Sequence, residues 1–567
     1  MAEQRIKQKK NDLFSLGIVI AIVLLVNIIN QSFFFRLDLT AEKRYTLSKS
    51  TRDILRNLDD IVFIKVYLEG DLNIPFRKFR QSISDLLDEF KIYGKTNFQY
   101  TFENPFEDAT GDQQKRIIKE LLDKGLTWTN ILKRDNEGGF SEKIIFPGAL
   151  LTYKNVEIPL NLLVNDPEQN AEQNLINSQE VLEYTLISNI RNITNDSTRK
   201  IAFIEGHGEL HELEVLDISN ELSRTYQIDR GSIRGIPGVL DEYRAVIVAA
   251  PTVPFSEQDK FVLDQYLMQG GRILWLLDAV DVSLDSLVNG ETLAFIRELN
   301  LEDMLFKYGV RINPELIQDI QCGVIAVNVA LAGNPPNFQL VPWLYKLLLT
   351  PNPDHPISHN MNLVLGSFSS PIDTIAARKN IKKSVLLSTS IYTKTRKLPA
   401  LISLAEIRET PDRKEFSGSQ FIVGTLLEGE FESVFTNRGL DQYFPDPPKI
   451  TEKSVPTRMA VIADGDVIRN NVRFSEKGPS IDPLGYDRYS KQTYANREFL
   501  TNLVQYLADD NNLLELRGRE FRLRLLDKEK IRSERKKWII LNMLIPSLII
   551  LLCGGIFISY RKRRYAH

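Results

Sequence analysis

The sequence predicts a membrane-anchored α/β protein, in which two terminal transmembrane helices flank a thioredoxin-like domain and a doubly wound parallel-sheet domain. Three observations carry that prediction. Two 23-residue stretches, Leu13–Phe35 and Trp538–Tyr560, contain no charged residue. Residues 36–165 read as β-α-β-α-β-β. From residue 196 onward, apolar strands alternate with amphipathic helices, the pattern of a parallel sheet covered on both faces.

Each apolar stretch, at ~1.5 Å per residue, makes a helix of about 35 Å, enough for a ~30 Å hydrocarbon core with some tilt. The first could also be a cleaved signal, but Ser32-Phe33-Phe34-Phe35-Arg36 offers no small-residue cleavage site, which favours a retained anchor. Trp538 and Tyr560 bracket the second stretch as interfacial aromatics do, and its Pro546 and Gly554-Gly555 are tolerated in lipid. Basic residues lie on both sides of both stretches, so charge bias is nearly silent on orientation. Two spans nevertheless place both termini on one side. The expected layout is a bacterial inner-membrane protein with cytoplasmic tails at 1–12 and 561–567, spans at 13–35 and 538–560, and a large periplasmic part between them. Asn27, Asn30 and Gln31 share one helix face. Either another helix covers that face, or Asn30 and Gln31 lie at the headgroups and only Asn27 is buried.

The net charge is −3, yet residues 1–13 and 561–567 together hold eight basic and two acidic groups, leaving 63 basic against 72 acidic elsewhere. That balance argues against a nucleic-acid partner, and basic tails beside apolar helices suit a lipid bilayer instead. With 43% apolar residues the chain can bury substantial cores. Its two cysteines are Cys322 and Cys553, and the second lies within an apolar stretch, so the water-exposed part cannot form an internal disulfide.

In the domain expected at 36–165, Ser48 is a plausible cap for a short helix with Thr51, Ile54, Leu55 and Leu58 on one face. Ile61–Leu68 follows as a strand, Phe79–Tyr93 as an amphipathic helix, Phe98–Phe102 as a strand and Gln114–Lys124 as a helix, with two strands within Lys143–Leu163. No Cys-x-x-Cys pair is present, so a thioredoxin-like fold here would be structural. Residues 166–195 are expected as a helical connector. The doubly wound domain, with a C-terminal extension, is expected at 196–530. Its strands are Lys200–Glu205, Ala245–Ala250 and Arg272–Leu277. The intervening helices pass through Leu213, Leu216, Ile218 and Leu222, and through Phe261, Val262, Tyr266 and Leu267 behind a Ser256-x-x-Asp259 start. Asn362–Phe368, Ser384–Ser388, Phe421–Leu427 and Met459–Ala463 are further strands that could complete the same sheet, and Phe499–Leu507 is a helix.

Ligands of doubly wound sheets bind beyond the carboxyl ends of the strands. Gly206-His207-Gly208-Glu209 lies at such an end, and Asp278 follows the third strand. His207, Glu209 and Asp278 are therefore the candidate ligand-binding residues. The competing reading is a tight turn holding a hydrogen-bonded imidazole, favoured because no nucleophile accompanies the histidine. His207/His211 and His355/His359 have H-x-x-x-H spacing, but the first pair lacks the adjacent Glu and the second lies in a proline-rich loop, so no metal is expected. Gly94-Lys95-Thr96 lacks the upstream glycine of a phosphate-binding loop and follows a helix, so no ATP hydrolysis is expected. Asp464-Gly465-Asp466 reads as a turn. No cofactor and no catalytic residue are assigned.

Residues Arg36-Leu37-Asp38-Leu39-Thr40 and Lys43-Arg44-Tyr45-Thr46-Leu47-Ser48, with Phe203–Glu209, Gly270-Gly271 and the closing helix, resemble the GldG family. These are gliding-motility-associated ABC transporter components of Bacteroidetes. The resemblance implies a substrate-binding-like auxiliary membrane protein acting with a separate permease subunit and a separate cytoplasmic ATPase; a periplasmic protein client is a further candidate partner. It also implies an amidotransferase-like central domain, but neither cysteine stands on a nucleophile elbow, so amidotransferase chemistry does not carry over. The expected function is thus a non-catalytic auxiliary subunit. A membrane-anchored hydrolase using the His207 pocket and a tethered solute-binding receptor are the alternatives.

Overall fold

The computed structural model describes residues 46–107, 109–134, 140–164, 170–194, 199–282, 287, 290–328, 337–375, 380–408, 411–416, 420–476, 478–509 and 528–565, together with 14, 16–18 and 20–22. The last seven are helical and exposed. Asn27, Asn30 and Gln31, the rest of the first apolar stretch and the 36–45 motif lie outside the described residues.

Helix α1 (Lys49–Arg56) begins where Ser48 predicts, its hydroxyl accepting from the Thr51 amide at 2.9 Å. Strand β1 (Val62–Val66) leads to α2 (Ile74–Gly94), which starts one turn before the apolar periodicity does. Asn73 caps it by accepting from the Phe76 amide, and Pro75 sits in the first turn, where its missing N–H costs nothing. Then come β2 (Phe98–Phe102), α3 (Gly111–Asp123), an inserted hairpin at 129–145, β3 (Gly148–Tyr153) and β4 (Val156–Asn161). The sheet order is β2-β1-β3-β4, with β1 and β2 parallel and the other pairings antiparallel.

The expected connector is two helices, α4 (Ala171–Glu180) and α5 (Leu182–Thr194). They are more than a connection. Leu175, Leu182, Leu186, Ile187 and Ile190 are buried in one core with Phe79, Phe90, Ile64 and Leu151.

The large sheet contains five parallel strands: β5 (Lys200–Ile204), β6 (Gln227–Gly231), β7 (Tyr243–Ala249), β8 (Ile273–Leu276) and, much later, a strand at Thr457–Ile462. Their spatial order is β6-β5-β7-β8 and then Thr457–Ile462, so the chain runs 2-1-3-4-5 across them. Side chains alternate between two cores, as strands buried on both faces require. Ile201 and Phe203 face α6 (Leu216–Ser223) and the later helix Asn496–Ala508. Ala202, Ile204 and Trp275 face α7 (Glu257–Met268).

Beyond the fifth parallel strand the sheet continues antiparallel. It takes in β9 (Cys322–Asn328), β10 (Phe338–Pro351), β11 (Ile381–Ser388) and β12 (Ile422–Gly429), and Thr457–Ile462 is β13. The full row is β9-β10-β11-β12-β13-β8-β7-β5-β6. Three of the later apolar segments therefore do complete the central sheet, and Val364–Leu365 pairs with β10. Helix α8 (Asn496–Ala508) closes the fold.

Residues 1–519 and 520–567 form two units. The described part of the second is α9 (Lys528–Tyr565), within which Ser533–Arg563 is long and apolar enough to cross a membrane. It is the one such helix among the described residues, and it contains Pro546 and Cys553.

Candidate functional site

The order 2-1-3-4-5 places its topological switch point between β5 and β7, where the chain first leaves β5 in opposite directions. The loop Gly206-His207-Gly208 crosses that point. Gly206 and Gly208 adopt φ of +117° and +72°, conformations that an L side chain resists. The loop is tied to its neighbours: the His207 carbonyl accepts from the amides of both Thr252 and Val253 at 2.8 Å, and Thr252 Oγ1 donates to the Gly208 carbonyl. Arg230 of β6 adds a clamp, pairing with Glu205 at 2.8 Å and donating to the Leu210 carbonyl. The loops that would frame a crevice are hydrogen-bonded to each other.

His207 is buried, 5% exposed, and its ring stacks on Phe255 with centroids 3.7 Å apart. Both ring nitrogens are engaged, Nδ1 with Glu209 Oε1 and Nε2 with Asp259 Oδ2, each at 3.1 Å. Glu209 also accepts from the His207 amide at 2.7 Å. Asp259 takes further bonds from the Gly235 amide and the Ser256 hydroxyl. Burial disfavours the imidazolium, but hydrogen bonds and charge from Glu209 and Asp259 outweigh it and hold the His207 pKa above its ordinary value. The arrangement is a buried imidazole between two carboxylates, inside a tight turn. In the sequence, Asp259 stands out only as the fourth residue of the Ser256-x-x-Asp259 helix start. Nothing in the linear pattern joins it to a histidine 52 residues earlier.

Asp278 lies elsewhere along the same sheet edge. The structure brings His207 and Glu209 together, but β7 separates β5 from β8, and Asp278 follows β8. Asp278 Oδ1 accepts from the Gly465 amide at 2.6 Å. Its companions are Asp464 and Asp466, in the turn that follows β13. That turn is one of 3-10 helix, capped by Asp464, which accepts from the Asp466 amide and, through its other oxygen, from the Ser367 amide and Ser369 hydroxyl. Arg469 pairs with Asp466 at 2.6 Å. A Cβ on Gly465 would fall 2.5 Å from the Ala250 Cβ and 2.7 Å from Asp278 Oδ2, so only glycine fits this approach. Burial, then the charge of Asp466, pushes Asp278 up to about 6. Burial and the charges of Asp466 and Asp278 hold Asp464 well above the ordinary carboxylate range. Among the described residues, no three His, Cys, Asp or Glu side chains are grouped so as to hold a metal ion.

Among the described residues, the other histidines stand apart. His211 is exposed at the start of a 3-10 turn. His355 is buried against Tyr506, and burial lowers its pKa to about 4. His359 meets the Pro353 carbonyl.

A doubly wound α/β domain with a hydrogen-bonded switch point, in a chain whose described residues include one candidate membrane helix, defines the class. A family model described as an ABC-type uncharacterized transport system matches residues 198–503, more than half of the 567, and the chain belongs to that family of transport-system auxiliary proteins. A second model, for a domain of unknown function, matches residues 41–152. An uncharacterized protein of Borreliella burgdorferi is 21% identical over 99% of this chain and 100% of its own length. Among solved structures, the mmIFT52 N-terminal domain is similar at TM-score 0.30 and 14% identity, covering 54% of this chain and 96% of its own. A ThuA-like protein from Parabacteroides merdae is similar at TM-score 0.27 and 9% identity, covering 55% and 90%.

Proposed function

We propose that this chain is a non-catalytic auxiliary subunit of an ABC transporter, coupling a permease subunit and a cytoplasmic ATPase to a periplasmic client or to envelope machinery. The observation that carries the reading is the family match over residues 198–503, which assigns a transport-associated auxiliary role. Helix α9 supports a membrane location beside a permease. The non-catalytic part rests on His207: with both ring nitrogens held by carboxylates and the loops over the switch point bonded together, the imidazole is committed to structure. The link to gliding motility rests only on the family resemblance carried by residues 36–48, Phe203–Glu209, Gly270-Gly271 and the closing helix.

The test is a mild-detergent pull-down of the tagged full chain from its native membranes, with co-purifying chains identified. A multi-span permease and a P-loop ATPase are the expected companions. Recovery of the chain alone, under conditions that preserve other membrane complexes, would overturn the reading.

A further inference from the structure

Helix α5 belongs to the first domain and is gripped by the second. Its apolar face, Leu182, Leu186, Ile187 and Ile190, is buried in the core of the four-stranded sheet. At its start, Glu183 accepts from the Ser48 amide at 2.9 Å and from the Thr51 hydroxyl at 2.6 Å, which ties α1 to it. The next residue, Tyr184, packs against the cores of both domains and donates to Gln505 Oε1 of α8 at 2.8 Å. Two turns further on, Arg191 pairs with Asp509, the residue that caps the end of α8. Both partners are buried, at 8% and 5% exposure. Helix α5 thus holds α1 through Glu183 and α8 through Arg191, eight residues or about 12 Å apart along its axis.

The Asp509 charge acts on other cations besides Arg191. It bears on Arg199, just before β5, and on Arg272, just before β8. These arginines oppose one another. Burial and then the Arg191 charge lower the Arg199 pKa, and burial and then Arg244 and Arg458 lower that of Arg272 to about 10. Stripping a buried carboxylate of its cation is costly, but a carboxylate passed from one cation to another is never stripped. Arg191 rides on the first domain, whereas Arg199 stands on the large domain, as Asp509 does. We propose that the Arg191–Asp509 pair is a sliding latch: seated on Arg191, Asp509 locks α8 to α5, and seated on Arg199 it frees α5 and the four-stranded sheet to move against the large sheet. The exchange turns a contact between domains into one within a domain and leaves the charge of the junction unchanged. Two discrete seats for one group make the junction bistable, which a continuous packed surface is not. The inference rests on these contacts and stands apart from the transport reading.

The test is hydrogen exchange of the full chain in mild detergent, read by mass spectrometry in α5, with β7 as the reference for global stability. Arg191→Gln should speed exchange in α5 by about tenfold or more while β7 stays unchanged. Arg191→Lys, which keeps the cation, should recover most of the protection. Arg199→Gln removes the second seat and should slow exchange in α5 by about threefold, the opposite sign from Arg191→Gln. Should Arg191→Gln fail to fold, Arg191→Lys and Arg199→Gln carry the test. Unchanged α5 exchange in Arg191→Gln, unchanged or faster α5 exchange in Arg199→Gln, or equal changes in α5 and β7 would each overturn the latch.

Discussion

At the β5 corner of the sheet edge, a buried imidazole lies between Glu209 and Asp259, so a basic ring faces two carboxylates and both its nitrogens are engaged. At the β8/β13 corner, Asp278, Asp464 and Asp466 share a small volume, with Arg469 against Asp466. The first corner is held together by its charges. The second is held together by backbone amides and glycine in spite of them. The contrast shows that a carboxyl-edge cluster in this fold can be stabilised or strained by the same residue type, depending on what the next strand delivers.

The largest expected effect comes from breaking the balanced corner. His207→Ala leaves Glu209 and Asp259 buried and facing each other, and should cost about 3–5 kcal/mol, as loss of one member of a buried charged group does. The pKa of His207 is raised on folding, so its contribution is fully present below the unfolded value of about 6.5 and fades as pH rises through the folded value. Urea melts of the variant and the parent should therefore differ most near pH 6 and least near pH 9. A constant difference across that range would mean that packing on Phe255 alone sets the cost.

A smaller loss follows from crowding the strained corner. Gly465→Ala drives a methyl group into Ala250 and Asp278, and should cost about 1–3 kcal/mol by the same melts. The smallest effect has the opposite sign. Asp278 takes up a proton more readily folded than unfolded, so its charged form weighs against the native state above pH 6, and that burden lifts as pH falls toward 4. Asp278→Asn should raise the melting temperature at pH 8, by about 1–2 °C for each kcal/mol relieved in a domain larger than those of 150–250 residues. The gain should shrink as pH falls through 6 and vanish only below about pH 4, where the unfolded carboxyl is also protonated. A gain of the same size at pH 8 and below pH 4 would place its origin outside the carboxylate cluster.

What could be read from the chain follows one physical line. Apolar runs announced β5, β7 and β8, because strands buried on both faces must be apolar throughout. The edge strand Gln227–Gly231 is silent for the same reason: half-exposed and charged, it carries no such signal. Helix α2 was recognised by its apolar stripe but begun too late, since Asn73 and Pro75 mark its start through capping rather than periodicity. The turn at Asp464-Gly465-Asp466 was legible, because Asp-Gly pairs turn wherever they stand.

By itself, then, the sequence determined the class of the large domain, the long apolar C-terminal helix and the tight turn at His207. These depend on local pattern and on burial. Tertiary structure decided which groups meet. Asp259 reaches His207 because α7 packs beneath the β5 loop, and Asp464 reaches the neighbourhood of Asp278 because β13 returns, after 180 intervening residues, to pair in parallel with β8. It also decided that β9 is an edge. A strand's place in the row is a property of the sheet's order, and no stretch of chain carries that order alone.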